Sequence, residues 1–212
     1  MFDYNRILIV SFHVMKNLCV CLICIVCFCS AATAQEHTPQ LLKEPADWEF
    51  ERFALPPAFA PAITYKGAEE LRFAPGMFKK DSANYFTYAF VVQLDNVSSI
   101  SLNEIRHYLL NYYKGLCAIT ARDRKLVIDT TQITAVVEKK NTIPANETIY
   151  NASMNIFGVF ADGAPVKLNL EVKVLEAAVN KLYLVVIASP LEKTAAVWKT
   201  LYQIQKEFKI PG

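Results

Sequence analysis

A chain of 212 residues with 22 basic and 20 acidic side chains has too little net charge to present a basic face, which argues against a nucleic-acid partner. Glycine, at six residues, is scarce, and no phosphate-loop, dinucleotide, G-x-S-x-G or H-E-x-x-H pattern occurs. Five of the six cysteines crowd into an apolar run with no His, Asp or Glu among them, so they do not read as a metal or redox centre.

That run belongs to residues 15–35, MKNLCVCLICIVCFCSAATAQ. Lys16 and Asn17 open it, apolar residues fill 18–28, and Ala32, Thr33 and Ala34 close it. This is the order of a secretory leader, with cleavage expected between Ala34 and Gln35. The apolar stretch is roughly 11 residues, short of the ~20 that a spanning helix needs. Met15 makes the more compact start. Residues 1–14 then lie upstream of the true start, or they lengthen the apolar segment into an anchor. A lipid anchor at Cys29 is disfavoured, because a lipobox places a small residue before its cysteine and Phe28 stands there.

Cleavage would leave 178 of the 212 residues, with 20 basic and 19 acidic side chains once Arg6, Lys16 and Asp3 are removed. A chain of this size buries roughly 70% of its unfolded surface and needs no disulfide. No integral membrane domain is expected after the leader. Cys117 alone remains, and free cysteine is commonly buried, so it is expected in the core.

Residues 35–47 are polar with two prolines and read as a flexible tether. The single domain spans 48–212. Its first part, 48–84, is rich in aromatics and proline and reads as a wrap over the domain, since proline is confined to edges and turns. Regular structure is expected from Tyr85, with Phe86, Tyr88, Phe90, Val92 and Leu94 on one strand face. Ser101 and Glu104 form a capping box for a helix striped by Leu102, Ile105, Leu109 and Tyr112, with Gly115 as its exit. Segments 118–122 and 125–139 read as short strands.

Further on, Tyr150, Ala152, Met154 and Ile156 alternate with Asn151, Ser153 and Asn155. Asp162 and Gly163 mark a turn, after which Val166, Leu168, Leu170, Val172 and Val174 alternate with polar residues. Such alternation predicts one covered and one wet sheet face. Residues 181–188, KLYLVVIA, predict a more central strand. Ser189 as cap, Pro190 at the first helical position and Glu192 as the reciprocal capping residue open the final helix, with Trp198, Leu201 and Tyr202 on its apolar stripe. The expected fold class is α+β, an antiparallel sheet packed against two amphipathic helices.

The string EELRFAPGMF, followed by YFTYAFVVQL and a capped helix ending YYKGLC, resembles a group of uncharacterised secreted bacterial proteins. That resemblance implies no established activity. The element order, with a last strand passing through Ser-Pro into a C-terminal helix, resembles the Mog1/PsbP-like α/β sandwich. Members of that fold serve as assembly and accessory factors, so the resemblance implies such a role and carries over no functional residue.

Candidate sites are few. His107 and Glu104 lie one turn apart on the capped helix and form a possible imidazole–carboxylate pair, although a solvated helix face explains them without chemistry and is the favoured reading. A Cys117–His107 dyad is disfavoured, since the apolar LCAI run would raise the thiol pKa. One histidine and one cysteine in the domain fall short of a zinc ligand set, and no cofactor is expected. Arg72, Phe73, Met77, Phe78, Lys79 and Lys80 combine aromatic, Met and cationic side chains as interface cores do, and form the candidate interaction patch. The expectation is an exported, non-enzymatic domain of the periplasm or cell envelope that binds a protein partner. The alternatives are a carrier of a small apolar ligand and an enzyme built around His107 and Glu104.

Overall fold

The computed structural model describes residues 40–140, 148–177 and 180–211. Ala34, Gln35 and Cys29, with the whole leader, lie outside the described residues. Seven strands among them form one antiparallel sheet. Three come first, β1 (Glu49–Leu55), β2 (Lys66–Phe73) and β3 (Tyr88–Asp95), and four follow, β4 (Thr134–Lys139), β5 (Thr148–Phe157), β6 (Pro165–Ala177) and β7 (Lys181–Ser189). Their spatial order is β1-β2-β3-β7-β6-β5-β4, so two meanders meet at a β3–β7 seam. Helix α1 (Leu102–Asp123) joins the meanders and packs on one sheet face, while α2 (Ala196–Glu207) packs on the other.

A helix on each face explains the apolar character of the middle strands. Phe90, Val92, Leu94, Leu184 and Val186 share a core with Ile105, Leu109 and Tyr112 of α1. Ala89, Val91, Val185 and Ile187 share a second core with Trp198, Leu201 and Ile204 of α2. Each fully buried Leu or Phe contributes roughly 2 kcal/mol. Strands covered on both sides lose alternation, as 181–188 does; β5 and β6 keep it, with Asn155 and Lys167 exposed. The α+β expectation therefore holds, with the two helices on opposite faces.

Several local expectations need correction. Residues 49–55 and 66–73 are not a wrap but strands, paired from Glu49↔Phe73 to Leu55↔Gly67 and onward from β2 to β3. The prolines at 56, 57 and 61 fall in the connection between them, where they break no ladder. β3 opens at Tyr88 because Phe86 has φ +52°, a left-handed conformation outside any strand. Gly115 does not end α1, which continues to Asp123 and absorbs the strand expected over 118–122. A Cβ at Gly115 would lie 2.1 Å from the Phe59 carbonyl oxygen, so this glycine permits close backbone approach. Within 125–139, regular structure is limited to a 3-10 turn (Thr130–Gln132) and β4.

The second capping box is also absent. α2 begins at Ala196, and Ser189 remains the last residue of β7. Its hydroxyl bonds the Thr87 hydroxyl at 2.8 Å and accepts the Leu191 N–H at 3.2 Å. A buried partner across the seam thus holds the side chain that local pattern assigned to a helix cap. The first capping box is present: Glu104 Oε2 accepts from Ser101 N–H at 2.7 Å, and Ser101 Oγ from Glu104 N–H at 3.3 Å.

Candidate functional site

The capping box fixes the first turns of α1, and the connection after β1 passes beside them. Between the two lies a surface groove of about 180 Å³, lined by Ala62, Ile63, Thr64 and Tyr65 on one wall and by Glu104, His107, Tyr108 and Asn111 on the other. Helical spacing places 104, 107, 108 and 111 on one face of α1. Glu104 is the one charged carboxylate in this lining, and Ser101 holds it below the ordinary carboxylate range through its hydroxyl and its backbone N–H, with Tyr65 adding a smaller push. His107 is exposed at the groove wall.

Beneath the groove the polarity continues inward. The Tyr108 hydroxyl donates to Glu69 Oε2 at 3.0 Å. Glu69 has no solvent exposure, and burial pushes its carboxyl up to about 8, against the pull of the neighbouring Tyr112 and Tyr108 hydroxyls. Its Oε1 finds no hydrogen-bond partner among the described residues. Around it stand stacked rings, Tyr108 on Tyr112 at 6.1 Å and Tyr112 on Phe90 at 5.7 Å between centroids. The Tyr88 and Tyr113 hydroxyls bond each other farther along α1. Burial raises these phenols too, so the layer under α1 is neutral at ordinary pH.

The structure separates residues that a dyad would need together. Cys117 is buried, its thiol pushed up to about 11, and its Sγ approaches the Phe157 carbonyl oxygen at 3.8 Å. Ten residues of helix put it about 15 Å along the axis from His107. A Cys117–His107 dyad is therefore not formed. Among the described residues, no three His, Cys, Asp or Glu side chains converge as a metal site would require. No described helix is long and apolar enough to cross a membrane.

The six-residue patch also divides. Phe78, Lys79 and Lys80 are exposed, with Lys80 paired to Asp162 and the Phe78 ring edge-on to Phe160 at 5.1 Å. Met77 is buried and Phe73 half-buried against the α1 core. Arg72 is buried on the opposite face of β2. Its Nε and Nη2 donate to the Leu42 carbonyl at 3.0 and 2.9 Å, Nη2 to Lys43 O at 3.2 Å and Nη1 to Trp48 O at 3.0 Å. Alternation along a strand explains the split, since residues 72 and 73 must point opposite ways. The segment 40–47, expected as part of a flexible tether, is bound across the sheet instead.

Pattern reasoning missed Glu69 and Glu70. Two adjacent glutamates resemble a solvated turn, and only the assignment of 66–73 as an interior strand sends one to each covered face. The Glu70–Arg72 spacing carried the usable signal, because residues two apart on a strand share a face.

Comparisons of the chain with protein-family models, with curated proteins and with solved structures found no match. The resemblance to the Mog1/PsbP-like sandwich accordingly rests on element order alone.

Proposed function

We propose that this chain is exported behind its leader and acts as a non-enzymatic domain that binds a protein partner in the periplasm or cell envelope, with the groove beside α1 as its contact surface. The observation that carries the reading is the lining itself. Glu104 and His107 stand exposed and Asn111 half-buried in a row beside half-buried Tyr65 and over the edge of Tyr108, on a helix whose start is capped. Aromatic side chains rimmed by polar ones are the usual composition of a protein contact. The leader pattern supports export, and the near-neutral charge is consistent with a partner that is not a polyanion.

An enzyme built on His107 and Glu104 is the second reading, favoured by the place of His107 at the groove wall. Against it stands the engagement of Glu104 Oε2 by the Ser101 N–H, which ties that carboxylate to the helix start and leaves at most its other oxygen to orient the imidazole.

The test is site-specific photo-crosslinking in the native host, with the reactive group at Asn111 in the groove or at Lys199 on α2. Covalent capture of one defined polypeptide from Asn111 and not from Lys199 is the expected result. Equal capture from both positions, or from neither, would remove the groove as a contact. Intact mass of the recovered chain checks export separately, with a start at Gln35 expected.

A further inference from the structure

Residues 40–48 cross the second face of the sheet without joining it as a strand. Two charged side chains of β2, Glu70 and Arg72, hold them there, and both are buried. Glu70 Oε2 accepts from the N–H groups of Leu41 and Leu42 at 2.6 and 2.9 Å. Arg72 donates to the carbonyl oxygens of residues 42, 43 and 48. Every one of these contacts is to main chain, so they read direction and extension and are indifferent to side-chain identity. Side-chain readout falls mainly to the two deeply seated positions, Leu42 and Trp48, which enter the core shared with Ala74, Ala89 and Val91, with half-buried Leu41 packed against its edge.

The receptor is organised by the sheet, not by what it holds. Arg52 and Phe50 of β1 stand in register opposite Glu70 and Arg72. Arg52 Nη1 donates to Glu70 Oε1 at 2.8 Å, and the Phe50 ring lies 4.8 Å from the Arg72 guanidinium carbon. If residues 40–48 leave, both charges keep these neighbours and gain water, so departure strands no ion in an apolar interior. An apolar plug would offer no such exit. We infer that the Glu70–Arg72 face of β2 is a receptor for an extended peptide main chain, filled in cis by residues 40–48, and that an extended segment of a partner protein with a leucine-sized residue at the Leu42 seat can replace them.

A labelled peptide with the sequence of residues 40–48, QLLKEPADW, serves as the probe on the full exported chain. The cis segment competes at high effective concentration, so weakening it should admit the probe. The Leu42→Ala chain is expected to bind the probe roughly tenfold more tightly than the unsubstituted chain, and a probe with alanine in place of its second leucine should lose most of that affinity. No saturable binding to the Leu42→Ala chain overturns the proposal. Hydrogen exchange on the unsubstituted chain tests the same point without a variant. Leu41 and Leu42 amides are expected to exchange roughly a hundredfold faster than those of Val91 and Val185, by local opening. Equal rates would make the segment an inseparable part of the domain and overturn it. A concentration-dependent dimer of the Leu42→Ala chain that the probe does not dissociate would give the seat to a second copy, which also overturns it.

Discussion

Glu69 and Glu70 are consecutive on β2, equally shut off from solvent, and face opposite sides of the sheet. On the outer face, Glu70 meets two backbone N–H groups and the Arg52 guanidinium, and both of its oxygens are occupied. On the inner face, Glu69 meets phenols alone, one oxygen stays unpartnered, and burial lifts its carboxyl to about 8. The lesson is that depth does not decide what a buried carboxylate does; the number and charge of its donors do. One face is built to hold a main chain, and the other stores a proton under a groove.

The largest test of this contrast is on the outer face. Arg72→Ala strips the donors from three carbonyl oxygens and is expected to cost about 3 kcal/mol, read as a lowered urea midpoint. An unchanged midpoint would mean that the bound segment adds nothing to the fold, and the contrast would fail.

Glu69→Gln tests the inner face through pH. The folded carboxyl titrates near 8, above its ordinary 4.5, so the folded chain keeps a proton that the unfolded chain has already released. Its contribution to stability is complete below about 4.5 and declines as pH rises to about 8. The glutamine variant lacks that proton, so the difference in stability between variant and parent should grow in the variant's favour across the same window. Urea midpoints at about pH 5 and about pH 8.5 measure it, and a constant difference would show that Glu69 is already ionised in the fold. Tyr108→Phe gives the smaller effect, about 1 kcal/mol for one lost hydrogen bond. Because that bond favours the ionised form, its loss should move the upper end of the pH window higher still.

What the sequence reveals of this molecule is what short-range chemistry decides. The Ser101–Glu104 box, the alternation of β5 and β6, the two-sided burial of β7 and the seclusion of Cys117 depend on nearest neighbours along the chain. Gly115, Ser189 and the strands β1 and β2 depend on partners far away in sequence. A carbonyl at Phe59 accounts for the glycine, and Thr87 for the serine. Ser189→Ala is accordingly expected to cost about 1 kcal/mol through a buried hydrogen bond, and to cost much less in a Thr87→Val background, where a helix-cap effect would persist. Of the candidate site, His107 and Glu104 were legible as one helical face. The wall at 62–65 and the carboxylate below were not, since both are supplied by a segment whose prolines obscure its place in the sheet.

The seam between the two meanders has a kinetic consequence. Each meander closes over short connections, but β3 meets β7 only when Tyr88 finds Ala188, a hundred positions later. Closing so wide a loop costs chain entropy before any contact repays it, which places the seam among the late and slow events of folding. Refolding of Val92→Ala, on the seam, should be slowed less than its unfolding is accelerated. Met154→Ala, within the β5–β6 hairpin, should show the reverse balance, and the two arms of a denaturant chevron would read both.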